Sequence, residues 1–125
     1  MKPKTKILIV DDDENTLKLY ERALDKAGFE VKTSSQAIGT TNKAKEFCPE
    51  VIILDVMMPA LSGQNLIEIL KKNVPGNPLI ILLSNKSEDE LKKIAQEFHA
   101  DDYLTKMSGP LALVKKINAL LEWSK

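Results

Sequence analysis

Asp11, Asp12, Asp55, Ser84 and Lys106 are side chains of types that do chemistry together, and each stands at or just beyond the end of an apolar run. Carboxylates gathered within a few ångströms repel one another, at an effective dielectric near 20 by on the order of 4 kcal/mol per pair at 4 Å. Such a cluster needs a cation. Oxygen donors without Cys or His favour a hard ion, and an open site offering two direct carboxylates, a carbonyl and waters suits Mg²⁺ better than a full Ca²⁺ cage. The Asp-x-Asp-x-Asp-Gly spacing of a calcium loop is absent. A carboxylate beside Mg²⁺, with a hydroxyl donor and an ammonium, forms a set for phosphoryl transfer to Asp: the carboxylate attacks in line, the cations neutralise the phosphoryl oxygens, and the hydroxyl holds one of them. Taken singly, Ser is an ordinary turn former, Lys a solvated charge and Asp a helix cap. The combination carries the weight.

These residues meet only if the chain folds to bring its strand ends together. Val51-Ile52-Ile53-Leu54 reads as a central strand buried on both faces, with Asp55 at its carboxyl end and a loop through Pro59 to Gly63. Lys6 to Val10 is a first such strand, followed by a helix carrying Leu17, Tyr20, Leu24 and Ala27 on one face up to Gly28, with Asp13 as its N-cap. Phe29 to Thr33 alternates as an edge strand does. Gln36 to Phe47 is a weaker helix, interrupted by Gly39 and lowered by Thr40-Thr41. Gln64 to Lys72 is a helix with Leu66, Ile67, Ile69 and Leu70 facing the core, and the cluster 74–78 is a turn. Leu79 to Leu83 is a fourth strand ending in Ser84, and Ser87 caps a helix with Leu91, Ile94, Ala95 and Phe98 on its apolar face. Tyr103 to Thr105 is a short fifth strand before Lys106. A last helix starts at Pro110 and buries Leu113, Val114, Ile117, Leu120 and Leu121, with Trp123 covering its end.

The alternation of strand and helix implies an α/β three-layer sandwich of the flavodoxin-like type: a five-stranded parallel sheet in the order 2-1-3-4-5 with five helices. That order sets the first and third strands side by side where the winding reverses, so Asp11, Asp12 and Asp55 share one crevice and Ser84 and Lys106 arrive from the next two strands. The 125 residues are expected to form a single domain, 1–125, with no output domain. Lys plus Arg total 18 and Asp plus Glu total 18, so no basic excess points to direct nucleic-acid contact. No apolar segment approaches a membrane span and the start lacks the apolar core of a secretion signal, which makes a cytoplasmic location the expectation. Cys48 is the only cysteine and is read as a small packing residue. His99 is read as a solvated or capping residue without a chemical role.

The chain resembles the receiver domain of bacterial two-component response regulators over essentially its whole length. The resemblance rests on Ile7-Leu8-Ile9-Val10-Asp11-Asp12-Asp13, on Leu54-Asp55-Val56-Met57-Met58-Pro59 with Gly63, on Leu83-Ser84, and on Ala100-Asp101-Asp102-Tyr103-Leu104-Thr105-Lys106. It implies that Asp55 accepts a phosphoryl group from a phosphohistidine on a sensor histidine kinase or phosphotransfer protein. It implies that Asp12 and Asp55 bind Mg²⁺ together with the backbone carbonyl of Met57, that Asp11 helps through water, and that Ser84 and Lys106 contact the phosphoryl group. Tyr103 matches the aromatic switch position, which moves inward when Ser84 is drawn to the phosphate, biasing the surface of the fourth helix, fifth strand and fifth helix toward a downstream protein target or fused output domain.

Several positions depart from the family pattern. Met107 follows Lys106 where the family usually has a cis proline. A cis bond before a non-proline residue costs about 2.5–4 kcal/mol, so a trans bond and a shifted loop are expected there. Ser62 stands where Asp is common, and Asn85 stands where a smaller residue is usual and narrows access. Met57 and Lys86 occupy positions that tune hydrolysis in the family, and neither orients water well, so a long-lived phospho-form is expected. The alternative is a degenerate receiver acting as a phosphorylation-independent binding module. An aspartate-nucleophile phosphatase of the haloacid dehalogenase type wants a second Asp where Met57 stands. A flavin binder wants hydroxyls and N–H groups where Asp11-Asp12-Asp13 would repel a phosphate.

Overall fold

The computed structural model describes residues 3–57 and 63–123. Five strands run in chain order as β1 (Lys6–Val10), β2 (Glu30–Ser34), β3 (Val51–Leu54), β4 (Leu79–Ser84) and β5 (Asp102–Thr105). Between and after them lie the helices α1 (Glu14–Lys26), α2 (Thr40–Phe47), α3 (Gly63–Asn73), α4 (Glu88–Phe98) and α5 (Pro110–Trp123). The strands pair in parallel in the order β2-β1-β3-β4-β5. This is the flavodoxin-like arrangement that strand-helix alternation predicts. Pro59 and Ser62 lie outside the described residues.

Because side chains alternate across a strand, two apolar layers form, one on each face of the sheet. Leu8, Val10, Ile52, Leu54, Ile80 and Leu82 pack with α2, α3 and α4. Ile7, Ile9, Val51, Ile53, Ile81 and Leu83 pack with α1 and α5. Burying each such side chain contributes about 1.5–3 kcal/mol, which is why β1, β3 and β4 read as unbroken apolar runs. Their register pairs Val10 with Leu54 and Leu54 with Leu82, which aligns the carboxyl ends of the three central strands.

Local chemistry sets the helix ends. Asp13 caps α1 by accepting from the Asn15 N–H and the Thr16 hydroxyl. Ser87 caps α4 by accepting from the Glu90 N–H, and its own hydroxyl donates to the Glu90 carboxylate. His99 closes α4 at φ 62°, so it does cap. The helix expected from Gln36 begins instead at Thr40, because Gly39 sits in the left-handed region at φ 86° and supplies no side-chain cap. The hydroxyls of Ser34 and Thr40, buried where α2 starts, lie 2.8 Å apart and point to the Gln36 carbonyl, which joins the start of the helix to the end of β2.

Four readings of single residues need correction. Ile69 is 37% exposed and faces away from the buried stripe of Leu66, Ile67, Leu70 and Val74. Ala27 is exposed because it is the C-cap of α1, past the end of the apolar face. Cys48 is exposed rather than packed, since α2 ends there in a left-handed turn at φ 53°. Trp123 is 87% exposed and does not cover the end of α5.

Candidate functional site

At the carboxyl edge of the sheet, β1 and β3 end side by side and the Asp55 N–H donates to the Val10 carbonyl at 2.9 Å. Asp11 and Asp55 therefore leave adjacent strands at the same level, 1% and 5% exposed, with Asp12 exposed above them. One carboxylate oxygen from each of the three lies within 4.8 Å of the other two. Each buried acid has one oxygen fixed locally: Asp11 Oδ1 accepts from the Asp13 N–H and Asp55 Oδ1 from the Met57 N–H, both at 2.9 Å.

Lys106 reaches into the pit from the end of β5. Its Nζ donates to Asp55 Oδ2 at 3.1 Å and lies 2.7 Å from Asp11 Oδ2. Asp11 Oδ2, although buried, is thus paired with the Lys106 ammonium, which bridges the two carboxylates. Burial pushes the Asp11 carboxyl above its usual range, against the pull of Lys106 and the Asp13 N–H. Burial also works against the Lys106 ammonium, but the two carboxylates outweigh it and hold Lys106 above the usual lysine range.

The bond between Lys106 and Met107 is trans, as expected, since no described residue carries a cis peptide. With methionine in the following position, Lys106 still reaches Asp11 and Asp55. A single 3-10 turn over Lys106–Ser108, capped by the Thr105 hydroxyl accepting from the Met107 N–H, turns the chain and leaves Met107 in solvent. Ser84 is fully buried at the end of β4, and its hydroxyl oxygen accepts from the Lys86 N–H at 3.4 Å rather than meeting the carboxylates. Asn85 is exposed beside it, and the Lys86 ammonium is 3.6 Å from Glu90. Tyr103 is half-buried, packed on the layer under α4, with the Lys116 ammonium 5.6 Å from its ring centre.

The arrangement thus joins an all-oxygen acidic pit, an ammonium already inside it, and a buried hydroxyl one strand away. The direct link from Lys106 to Asp11 was not legible in the sequence, where nothing joins residues so far apart. Tyr20, read as core, is indeed buried, and burial pushes its phenol up while Lys106 opposes and Asp11 adds to the effect. Among the described residues no helix is long and apolar enough to cross a membrane.

Comparison with known proteins agrees with this geometry. The alkaline phosphatase synthesis transcriptional regulatory protein PhoP of Bacillus subtilis is 35% identical over 96% of this chain and 50% of its own length. The BeF3-activated receiver domain of Thermotoga maritima DrrB superposes with a TM-score of 0.83 at 36% identity, covering 96% of this chain and 99% of that one. A CheY-like receiver domain protein from Methanospirillum hungatei JF-1 does so with a TM-score of 0.86 at 28% identity, covering 96% and 95%. The chain spans about half the length of the curated relatives it matches. A model of the response regulator receiver domain matches residues 7–118, and the chain therefore belongs to the receiver domain family of two-component response regulators.

Proposed function

We infer that this receiver accepts a phosphoryl group on Asp55 in an Mg²⁺-dependent reaction, with a phosphohistidine of a sensor histidine kinase or phosphotransfer protein as donor. The observation that carries the reading is the pit itself: three carboxylates within 4.8 Å, two of them buried, and a lysine that already bridges Asp11 and Asp55. These donors fit a hard divalent cation. Asp12, Asp55 and the Met57 carbonyl would hold it, with Asp11 assisting through water. When bound it supplies positive charge against the carboxylates and the incoming phosphoryl oxygens.

The chain's own residues account for the rest. Asp55 Oδ1 is fixed by the Met57 N–H, which orients the carboxylate, and Oδ2 is the oxygen that Lys106 now holds. As the carboxylate bonds to phosphorus and the phosphorus–nitrogen bond to histidine breaks, the Lys106 ammonium is positioned to follow the charge onto the phosphoryl oxygens. The Ser84 hydroxyl, bonded to a backbone N–H by a long 3.4 Å contact, is free to turn toward a phosphoryl oxygen. Its departure leaves room for Tyr103 to move inward, and the face formed by α4, β5 and α5 changes for a downstream protein target or fused output domain. The location is cytoplasmic on this reading, and the single domain spans 1–125.

Among the described residues, the two at the positions that tune hydrolysis do not orient an attacking water: Met57 offers an exposed thioether, and Lys86 is engaged with Glu90. A long-lived phospho-form is therefore expected, and rapid loss of phosphate from the Mg²⁺-bound domain would count against it. The function is tested with a small-molecule phosphodonor and Mg²⁺, which should shift the NMR spectrum of the wild type and leave Asp55→Asn unchanged. A response in neither protein would instead favour a degenerate, phosphorylation-independent module.

A further inference from the structure

β5 lies at the open edge of the sheet, with α4 on one face and α5 on the other. Tyr103 packs on the α4 side, whereas Leu104, its neighbour in the strand, faces the α5 layer with Leu113 and Ile117. Lys116 belongs to α5, yet its side chain wraps around this edge: its ammonium lies 5.6 Å from the centre of the Tyr103 ring and 3.1 Å from Asp102 Oδ1. The same Asp102 oxygen accepts the Tyr103 backbone N–H at 2.7 Å. The three residues therefore close a loop in which Asp102 fixes the strand and the lysine, and the lysine covers the ring. A part-exposed ion pair contributes only about 0–1 kcal/mol to folding, so stability alone is a weak reason for this geometry.

We propose that Lys116 is a positioning residue: held by Asp102, it clasps Tyr103 in the resting, half-buried setting and must release the ring before the phosphorylated state can form. The clasp rests on the reading of Tyr103 as the aromatic that moves. It gives α5 a direct grip on the ring, through a residue on the opposite layer from the one the ring packs on. A cation over an aromatic face at such an exposed edge biases a two-state ring by roughly two- to fivefold in population.

The test uses the full chain labelled with fluorotyrosine, which carries two tyrosines, Tyr20 and Tyr103. In saturating Mg²⁺, beryllium fluoride is titrated as a phosphoryl mimic while the Tyr103 fluorine signal is followed. Lys116→Gln should lower the half-saturating beryllium fluoride concentration by about two- to fivefold, because less must be overcome to free the ring, and Lys116→Arg should stay near the wild type. Removing a cation changes the resting signal whatever its role, but only a clasp moves the midpoint. An unchanged or raised midpoint for Lys116→Gln, or a shift as large for Lys116→Arg, overturns the proposal. If the wild-type signal itself does not respond, the switch reading fails and the clasp falls with it. If it responds while the midpoints coincide, only the clasp is lost.

Discussion

Asp11-Asp12 and Asp101-Asp102 are two acidic pairs next to strands, alike as letters and opposite in use. Asp101 Oδ2 accepts the buried Ile80 N–H at 2.8 Å, with Lys71 at 3.9 Å, and Asp102 Oδ1 holds Lys116 and the Tyr103 N–H. Their oxygens are engaged in joining β4, β5 and α5. Asp11 and Asp12 stand just beyond the carboxyl end of β1, where the strands stop and the backbone donor that Asp11 finds is the Asp13 N–H of its own loop. There the Asp11 carboxylate is buried beside Asp55, and burial raises its pKa despite the Lys106 ammonium at 2.7 Å. The difference teaches where function sits in this fold: acids that tie strands together stabilise it, and acids beyond the strand ends are held at a cost that a cation relieves.

The sharpest way to break that comparison is to neutralise one acid of each pair. Asp11→Asn should weaken Mg²⁺ binding by roughly 10–100-fold in calorimetric titration, as loss of an outer-shell ligand does. Asp101→Ala should leave Mg²⁺ affinity unchanged and lower unfolding stability by about 1–3 kcal/mol in a urea titration, because the Ile80 N–H is left buried and unpaired. If the two substitutions acted alike in either assay, the contrast would be wrong.

Within the triplet, Asp13→Ala should cost about 1 kcal/mol of stability through loss of the α1 cap and leave Mg²⁺ binding intact. The smallest effect is a pH dependence of the metal-free protein. A folded-state pKa above the unfolded one means that Asp11 favours folding while protonated, and that this contribution is lost as pH rises through the raised folded value. Asp11→Asn, always neutral, should therefore be the more stable protein at neutral pH. Its advantage should shrink as pH falls below the Asp11 titration. The lowered Asp13 pKa acts with the opposite sign but is common to both proteins and cancels. Equal stability of the two at every pH would remove the claim of a cost at Asp11.

What the sequence made legible follows from the same division. β1, β3 and β4 declared themselves because both their faces are buried and no polar residue interrupts them. The candidate site was legible as residue types at strand ends, since strand order alone brings those ends together. Propensity could not locate the start of α2, where Gly39 takes the N-cap position at positive φ with no side chain to cap it. Periodicity likewise misplaced Ile69, because the stripe of α3 follows Leu66, Leu70 and Val74 and passes beside it. Cys48 and Trp123 were misread for one reason: residue type predicts burial, but both stand at helix ends facing solvent. The reach of Lys106 to Asp11 was hidden because it depends on a 3-10 turn that Thr105 caps, and the absent proline pointed the other way.

The most direct measurement is intact-mass analysis of phosphoryl incorporation from a small-molecule donor, with Mg²⁺ and with the metal chelated, in the wild type and Asp55→Asn. One phosphoryl group should appear on the wild type only when Mg²⁺ is present, and none on Asp55→Asn. Incorporation that ignores chelation, or that persists after Asp55 is replaced, would contradict the account.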